Sequence, residues 1–268
     1  MKKLRFLTVL FLFMCIMLSF LSCKTEDEKL LETLFGPDYQ VFPDKKGECK
    51  KLQDYILSNK EEFLADLNDV LENDTDYLLT LVDKRHYLFP DYEPEDLVDL
   101  EANDFYALNR RDLKLRAPVE KALRQMASAS LKDGIKILVS SCYRSYDYQE
   151  RLFERYVKEM GEKEAERVSA RPGSSQHQLG VAIDYGTIDD AFAETKQGKW
   201  IYAHGPEYGF SLSFPAGYED VTGYVWECWH FRYIGVKACE FQKKWFLDIQ
   251  QYMLEFIYEW LNQKEKSL

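Results

Sequence analysis

Histidine is scarce in this chain: among 268 residues there are four, His86, His177, His204 and His230. An imidazole-based metal site has few ways to form from so small a set, so two histidines in short, chemically pointed segments stand out. Net positive charge is missing as well. The formal charge is −11 at pH 7, and loss of Lys2, Lys3 and Arg5 with a leader would make it more acidic still, which argues against nucleic-acid binding. Internal repeats are absent. Apart from Phe6 to Leu21 the chain lacks long apolar runs, and that stretch is shorter than the roughly 20 residues of a comfortable membrane span. What the chain does hold is 46% hydrophobic residues with abundant Tyr and Phe, enough for a sizeable core and for one domain with extensions.

His177 and Asp184 lie in SSQHQLGVAID, and Glu227 and His230 in WECWHFRY. Together they offer three N/O donors to a zinc ion, an open fourth position for water, and a carboxylate to act as base. Two neutral imidazoles and one carboxylate leave Zn²⁺ a charge of about +1, and such a site brings the pKa of a bound water towards about 7. Glu227 is then the candidate general base, taking the water's proton and later handing it to a departing amine. Leu179 to Ile183 is short, apolar and partly β-branched, so it reads as a buried strand entered through Gly180, with Asp184 at its end. Strict strand alternation would put Glu227 and Trp229 on one face, Cys228 and His230 on the other, so a bulge or strand end is expected there. His86 and His204 have no partner at ligand spacing and read as core or surface residues.

Three separated segments carry a resemblance. Ser140-Ser141-Cys142-Tyr143-Arg144-Ser145-Tyr146 with Gln149, then Arg171-Pro172-Gly173-Ser174-Ser175-Gln176-His177 through Asp184, then Thr222-Gly223-Tyr224 through Gly235, are similar in order and spacing to the VanY-type D-alanyl-D-alanine carboxypeptidases, zinc peptidases of the M15 group. The likeness starts near Tyr77, where YLLTLVDKRHYLFPDYEPEDLV resembles the family's opening segment. It implies a hedgehog/DD-peptidase-like fold, one zinc ion per chain on His177, Asp184 and His230, and Glu227 as general base. It also implies that Arg144 holds substrate and stabilises the developing oxyanion, a task suited to a permanently charged, planar fork of donors. Gln149 and Ser175 match the family's polar substrate contacts. The implied reaction is removal of the terminal D-alanine from peptidoglycan stem peptides, with L,D-type or endopeptidic cleavage as alternatives. A non-catalytic wall-binding lipoprotein is the alternative of a different class, against which the base Glu227 argues. One departure is visible: Glu227-Cys228-Trp229-His230 stands where the family usually has Glu-Pro-Trp-His. Loss of the proline frees φ but removes no ligand and no base.

The amino terminus points outside the cytoplasm. Lys2, Lys3 and Arg5 precede the apolar stretch, and Ser22-Cys23 opens an acidic run, the pattern of a signal peptide over residues 1–22. The segment resembles a relaxed lipobox, in which Cys23 is acylated and becomes the new terminus. That implies an exported protein anchored by lipid to a bacterial membrane, periplasmic or on the cell-envelope side, acting as a monomer with no nucleic-acid partner. In an oxidising compartment Cys49, Cys142, Cys228 and Cys239 are free to pair, and at least one bridge through Cys142 or Cys228 is expected.

The rest of the chain divides accordingly. Residues 23–76 read as an acidic stalk and helix, with Leu52, Tyr55, Ile56, Phe63, Leu67 and Leu71 mostly at helical spacing. Residues 77–237 form the expected catalytic domain, with a helix over Arg116 to Leu131, a strand over Ile135 to Ser140 that delivers Arg144 past its end, and a helix over Tyr148 to Met160. Several short helices around a small antiparallel sheet make the class α+β. Residues 238–268 read as one amphipathic aromatic helix, expected to dock on the catalytic domain.

Overall fold

Short β-branched and aromatic runs set off by glycines and polar turns build the strands of this protein. The computed structural model describes residues 24–36 and 47–266, so the leader and Cys23 lie outside the described residues. Its strands are β1 (Leu97–Asp99), β2 (Tyr106–Leu108), β3 (Lys114–Arg116), β4 (Ile137–Ser141), β5 (Ala182–Tyr185), β6 (Phe210–Leu212) and β7 (His230–Tyr233). Five of them form a sheet in the order β2-β4-β5-β7-β6, while β1 and β3 make a separate antiparallel ribbon. Only β2 and β4 run parallel, and the other neighbours in the sheet are antiparallel. With helices packed around it, this is the expected α+β arrangement.

The helix Ala117–Lys132 covers one face of the sheet. Its Val119, Leu123, Met126 and Ala127 recur at helical spacing and share one buried cluster with Ile137, Val139, Ile183, Tyr185 and Phe231. The opposite face carries Asp184, His230 and Arg232, because successive strand residues alternate sides. Arg232 is wholly buried, and its Nη2 donates to the carbonyls of Leu78 at 2.6 Å and Thr80 at 2.7 Å. The opening segment is thereby pinned to β7.

The described residues 26–36 and 47–73 depart from the stalk read in the sequence. Helices Glu26–Leu34, Cys49–Ser58 and Lys60–Asn73 bury Leu31, Leu34, Leu52, Ile56, Phe63, Leu67 and Val70 in a second core. The cover comes from the far end of the chain, where the single expected helix is two, Val236–Trp245 and Gln250–Lys266. They are split at Leu247 and Asp248, both at positive φ, and the Gln242 side chain secures the corner by donating to Asp248. Phe63 lies 5.2 to 6.1 Å, ring to ring, from Phe241, Trp245, Phe246 and Phe256. An amphipathic stripe whose partner is distant in sequence reads locally as a spacer, because nothing nearby shows what buries it.

The cysteines also differ from expectation. Cys49, Cys142, Cys228 and Cys239 are all buried, and among the described residues no bridge passes through Cys142 or Cys228. Cys142 and Cys228 pack within the sheet core, and Cys49 and Cys239 within the helical one. Each fills space as a small hydrophobe.

The shared helical core sets an expectation for stability. Phe63→Ala removes a fully buried ring and should lower the unfolding free energy by about 3–5 kcal/mol in a denaturant titration of the folded chain. An unchanged midpoint would return residues 60–73 to the role of spacer.

Candidate active site

Asp184 and His230 are opposite one another in the antiparallel pair of β5 and β7. Cross-strand pairing thus places two of the predicted ligands side by side without any loop having to close on them. His177 arrives from a 3₁₀ turn, Gln176–Leu179, capped by the Ser175 hydroxyl, which accepts from the His177 N–H at 3.3 Å. Gly180 ends that turn at φ 69°, where the added Cβ of another residue would sit 3.0 Å from the Arg116 and Leu97 side chains. The chain then enters β5, as the sequence pattern required of this glycine, although Asp184 proves to be the third residue of the strand and not its end.

The geometric puzzle of Glu227 and His230 is solved by a strand end. β7 starts at His230, and the residues before it form a turn in which the His230 N–H donates to the Glu227 carbonyl at 3.1 Å. Strand alternation therefore does not apply across Cys228 and Trp229. Glu227 Oε2 comes to 3.6 Å from His230 Nδ1.

The ligand atoms of His177, Asp184 and His230 all lie within 4.8 Å of one another, and all three residues are buried. His177 Nδ1 contacts the Cys142 carbonyl at 2.6 Å. A carbonyl only accepts, so the proton sits on Nδ1 and the lone pair of Nε2 points at Asp184 Oδ2, 3.2 Å away. His230 is arranged in mirror fashion: Nε2 faces Gln176 Oε1 at 3.2 Å, and Nδ1 faces Asp184 Oδ1 at 3.0 Å. Two lone pairs thus converge on a carboxylate. Asp184 Oδ1 and His177 Nε2 are buried atoms without a hydrogen-bond partner, the signature of donors meant for a cation. The residues fit a divalent metal of the zinc type, with two imidazoles and one carboxylate.

Electrostatics agree with that use. Burial, helped by nearby Arg144, pushes His177 down to about 4, which keeps its imidazole neutral and able to donate a lone pair. Burial alone would raise Asp184, but the proton-bearing forms of the two rings facing it hold its carboxyl well below the ordinary range. Glu227 moves the other way: burial and then the Asp184 charge push it up to about 8, against the opposing pull of Arg144. A carboxyl so placed exchanges a proton near neutral pH, as a general base must.

Arg144, Gln149, Ser175 and the four residues above line one cavity of about 430 Å³. Arg144 leaves the sheet just past β4, its backbone N–H donating to the His177 carbonyl at 3.2 Å and its Nη2 standing 3.8 Å from Asp184 Oδ2. Gln149, in the helix Tyr146–Met160, is buried to 1% and donates to the Ala170 carbonyl at 2.7 Å, while its Oε1 is left without a partner. Sequence reading missed Arg110 and Tyr148 on the wall, which hydrogen-bond to each other at 3.1 Å, and Gln176, which touches His230. For Gln176 a clue existed in its place beside His177. His86 and His204 stay outside the cavity, hydrogen-bonded to Asp83 and Glu207 respectively.

Comparison with known proteins follows the same lines. The family model described as VanY, D-alanyl-D-alanine carboxypeptidase, matches residues 112–236. The putative carboxypeptidase YodJ of Bacillus subtilis (strain 168) is 33% identical over 222 residues, covering 78% of this chain and 81% of that protein. The bifunctional D-Ala-D-Ala dipeptidase and D-Ala-D-Ala carboxypeptidase VanXYC of Enterococcus gallinarum is 31% identical over 181 residues, 63% of this chain and 91% of its own. Among solved structures, the LD-carboxypeptidase LdcB superposes with a TM-score of 0.60 at 33% identity, covering 66% of this chain and 85% of that one. With three motifs meeting at one buried two-histidine, one-aspartate cluster, and a relative this similar matched over most of both lengths, the chain belongs to the VanY family of metallocarboxypeptidases.

Proposed function

We propose that this protein is a zinc-dependent D-alanyl-D-alanine carboxypeptidase that removes the terminal D-alanine from peptidoglycan stem peptides. The observation that carries the reading is the pair of imidazoles whose outer nitrogens are engaged by carbonyl oxygens and whose inner lone pairs converge beside Asp184. His177, Asp184 and His230 would hold one Zn²⁺, which would supply Lewis-acid polarisation of a scissile carbonyl and acidify a bound water. Around it the side chains divide the work. Arg144 offers a guanidinium close to Asp184, suited to the substrate's terminal carboxylate and to an oxygen gaining charge. Glu227, 13% exposed at the cavity wall, takes a proton from the attacking water and returns it to the leaving amine. The unpaired Gln149 Oε1 is free to accept from a peptide N–H, and the Ser175 hydroxyl keeps its own proton to donate.

A second reading has a specific observation behind it: the solved relative whose printed name is LD-carboxypeptidase is as similar to this chain, at 33% identity, as YodJ is. Cleavage after an L-centre on a tetrapeptide uses the same metal, base and arginine. The protein is further proposed to be an exported monomer held to a membrane by a lipid on Cys23. Support comes from the basic, apolar and Ser-Cys order of residues 2–23.

Incubation of the purified chain with defined pentapeptide and tetrapeptide muropeptides should release D-alanine from the pentapeptide, measured by mass. A chelator should abolish release, and added zinc restore it. Cleavage of the tetrapeptide alone would establish the L,D reading, and no cleavage of either with zinc present would sink both. Glu227→Ala should lower turnover by at least about 10²-fold while zinc content stays near one per chain; undiminished turnover would mean that the base is misassigned. Cys23→Ser should move the protein from the membrane to the soluble fraction, and persistence at the membrane would count against lipid anchoring.

A further inference from the structure

His230 is a ligand only if Nδ1 carries the lone pair, and an imidazole has two tautomers of similar intrinsic energy. Its outer nitrogen faces an amide side chain, and an amide does not by itself settle the matter. Gln176 turned one way presents Oε1, which takes a proton from Nε2 and leaves Nδ1 bare. Turned the other way it presents NH₂, which needs the lone pair on Nε2 and forces the proton onto Nδ1, towards the metal position. Something must fix the amide.

The neighbouring contacts show what does. Gln176 Nε2 donates to Gln250 Oε1 at 3.4 Å, and Gln250 Nε2 donates to the backbone carbonyl of Ser211 at 3.3 Å. Ser213 Oγ lies between them, 2.7 Å from Gln176 Oε1 and 3.2 Å from Gln250 Oε1. Gln176, Ser213 and Gln250 are buried to 6%, 2% and 1% respectively, so water does not compete. A hydroxyl can give or take and a side-chain amide can flip. The Ser211 carbonyl can do neither. It obliges Gln250 to present its NH₂ to β6 and its oxygen to Gln176, which obliges Gln176 to present its own oxygen to His230.

We infer that Gln250 is a positioning residue that, through Gln176, keeps the His230 proton on Nε2 and so leaves the lone pair on Nδ1, the nitrogen that faces Asp184. It stands at the start of the helix Gln250–Lys266, beyond the segment 112–236 that the family model matches. The inference rests on the metallopeptidase reading of the site, and its test separates the two. Zinc affinity of the full chain is measured by competition with a chromophoric chelator, and the His230 tautomer by ¹⁵N chemical shift without metal. Gln176→Leu and Gln250→Leu should each weaken zinc by about 10–100-fold, with the ¹⁵N shifts moving towards protonated Nδ1. Gln176→Glu should hold zinc near the wild-type value, because either carboxylate oxygen accepts from Nε2. Adding Gln250→Leu to Gln176→Glu should then cost nothing further, since a symmetric acceptor has no orientation to fix. A Gln250→Leu penalty that is the same in both backgrounds would reduce Gln250 to ordinary packing and overturn the inference, as would unchanged zinc affinity in both single leucine variants. A wild-type chain that binds no zinc, yet whose His230 tautomer shifts in Gln250→Leu, would sink the metal reading and uphold the relay.

Discussion

Everything in the site depends on one register: Asp184 of β5 opposite His230 of β7. A shift of one residue would turn His230 and Arg232 into the hydrophobic layer and bring Phe231 to the metal position. The register is held from both sides. On the apolar face Ile183 pairs with Phe231 above the helix Ala117–Lys132, and on the polar face Arg232 is tied to the carbonyls of Leu78 and Thr80. Core packing and metal geometry are therefore one constraint viewed from two faces of the same strands.

The remaining ligand and base join this pair through short, fixed turns. His177 rides on a capped 3₁₀ turn whose carbonyl also accepts from the Arg144 N–H, so ligand and guanidinium are placed by one peptide unit. Glu227 is held by the turn that precedes β7. Charged groups in such a buried cluster are costly unless paired. Here a low Asp184, a neutral His177 and a raised Glu227 describe a site that one cation at its centre would balance.

Much of this was legible in the sequence, for identifiable reasons. Ligand chemistry is carried by rare residue types, and with four histidines the two in His177 and His230 were conspicuous. The strand behind Arg144 and the helices on either side announced themselves through local periodicity, which is a property of neighbours in the chain. What escaped were contacts between distant segments. The stripe of Leu52, Ile56, Phe63 and Leu67 looked like a stalk because Trp245 and Phe256, which bury it, come some two hundred residues later. Gln250 gave no sign of its position under the site for the same reason. The cysteines misled through composition: an exported chain permits disulfides, but these four thiols serve as filling within two separate cores.

The helix Glu26–Leu34 begins at a Thr25 capping box, and its Leu31 and Leu34 are seated in the core shared with the carboxyl-terminal helices. From Cys23 to the first residue of that helix is three residues, at most ~10 Å of extended chain. A lipid at Cys23 would therefore work as a short mooring and not as a long leash.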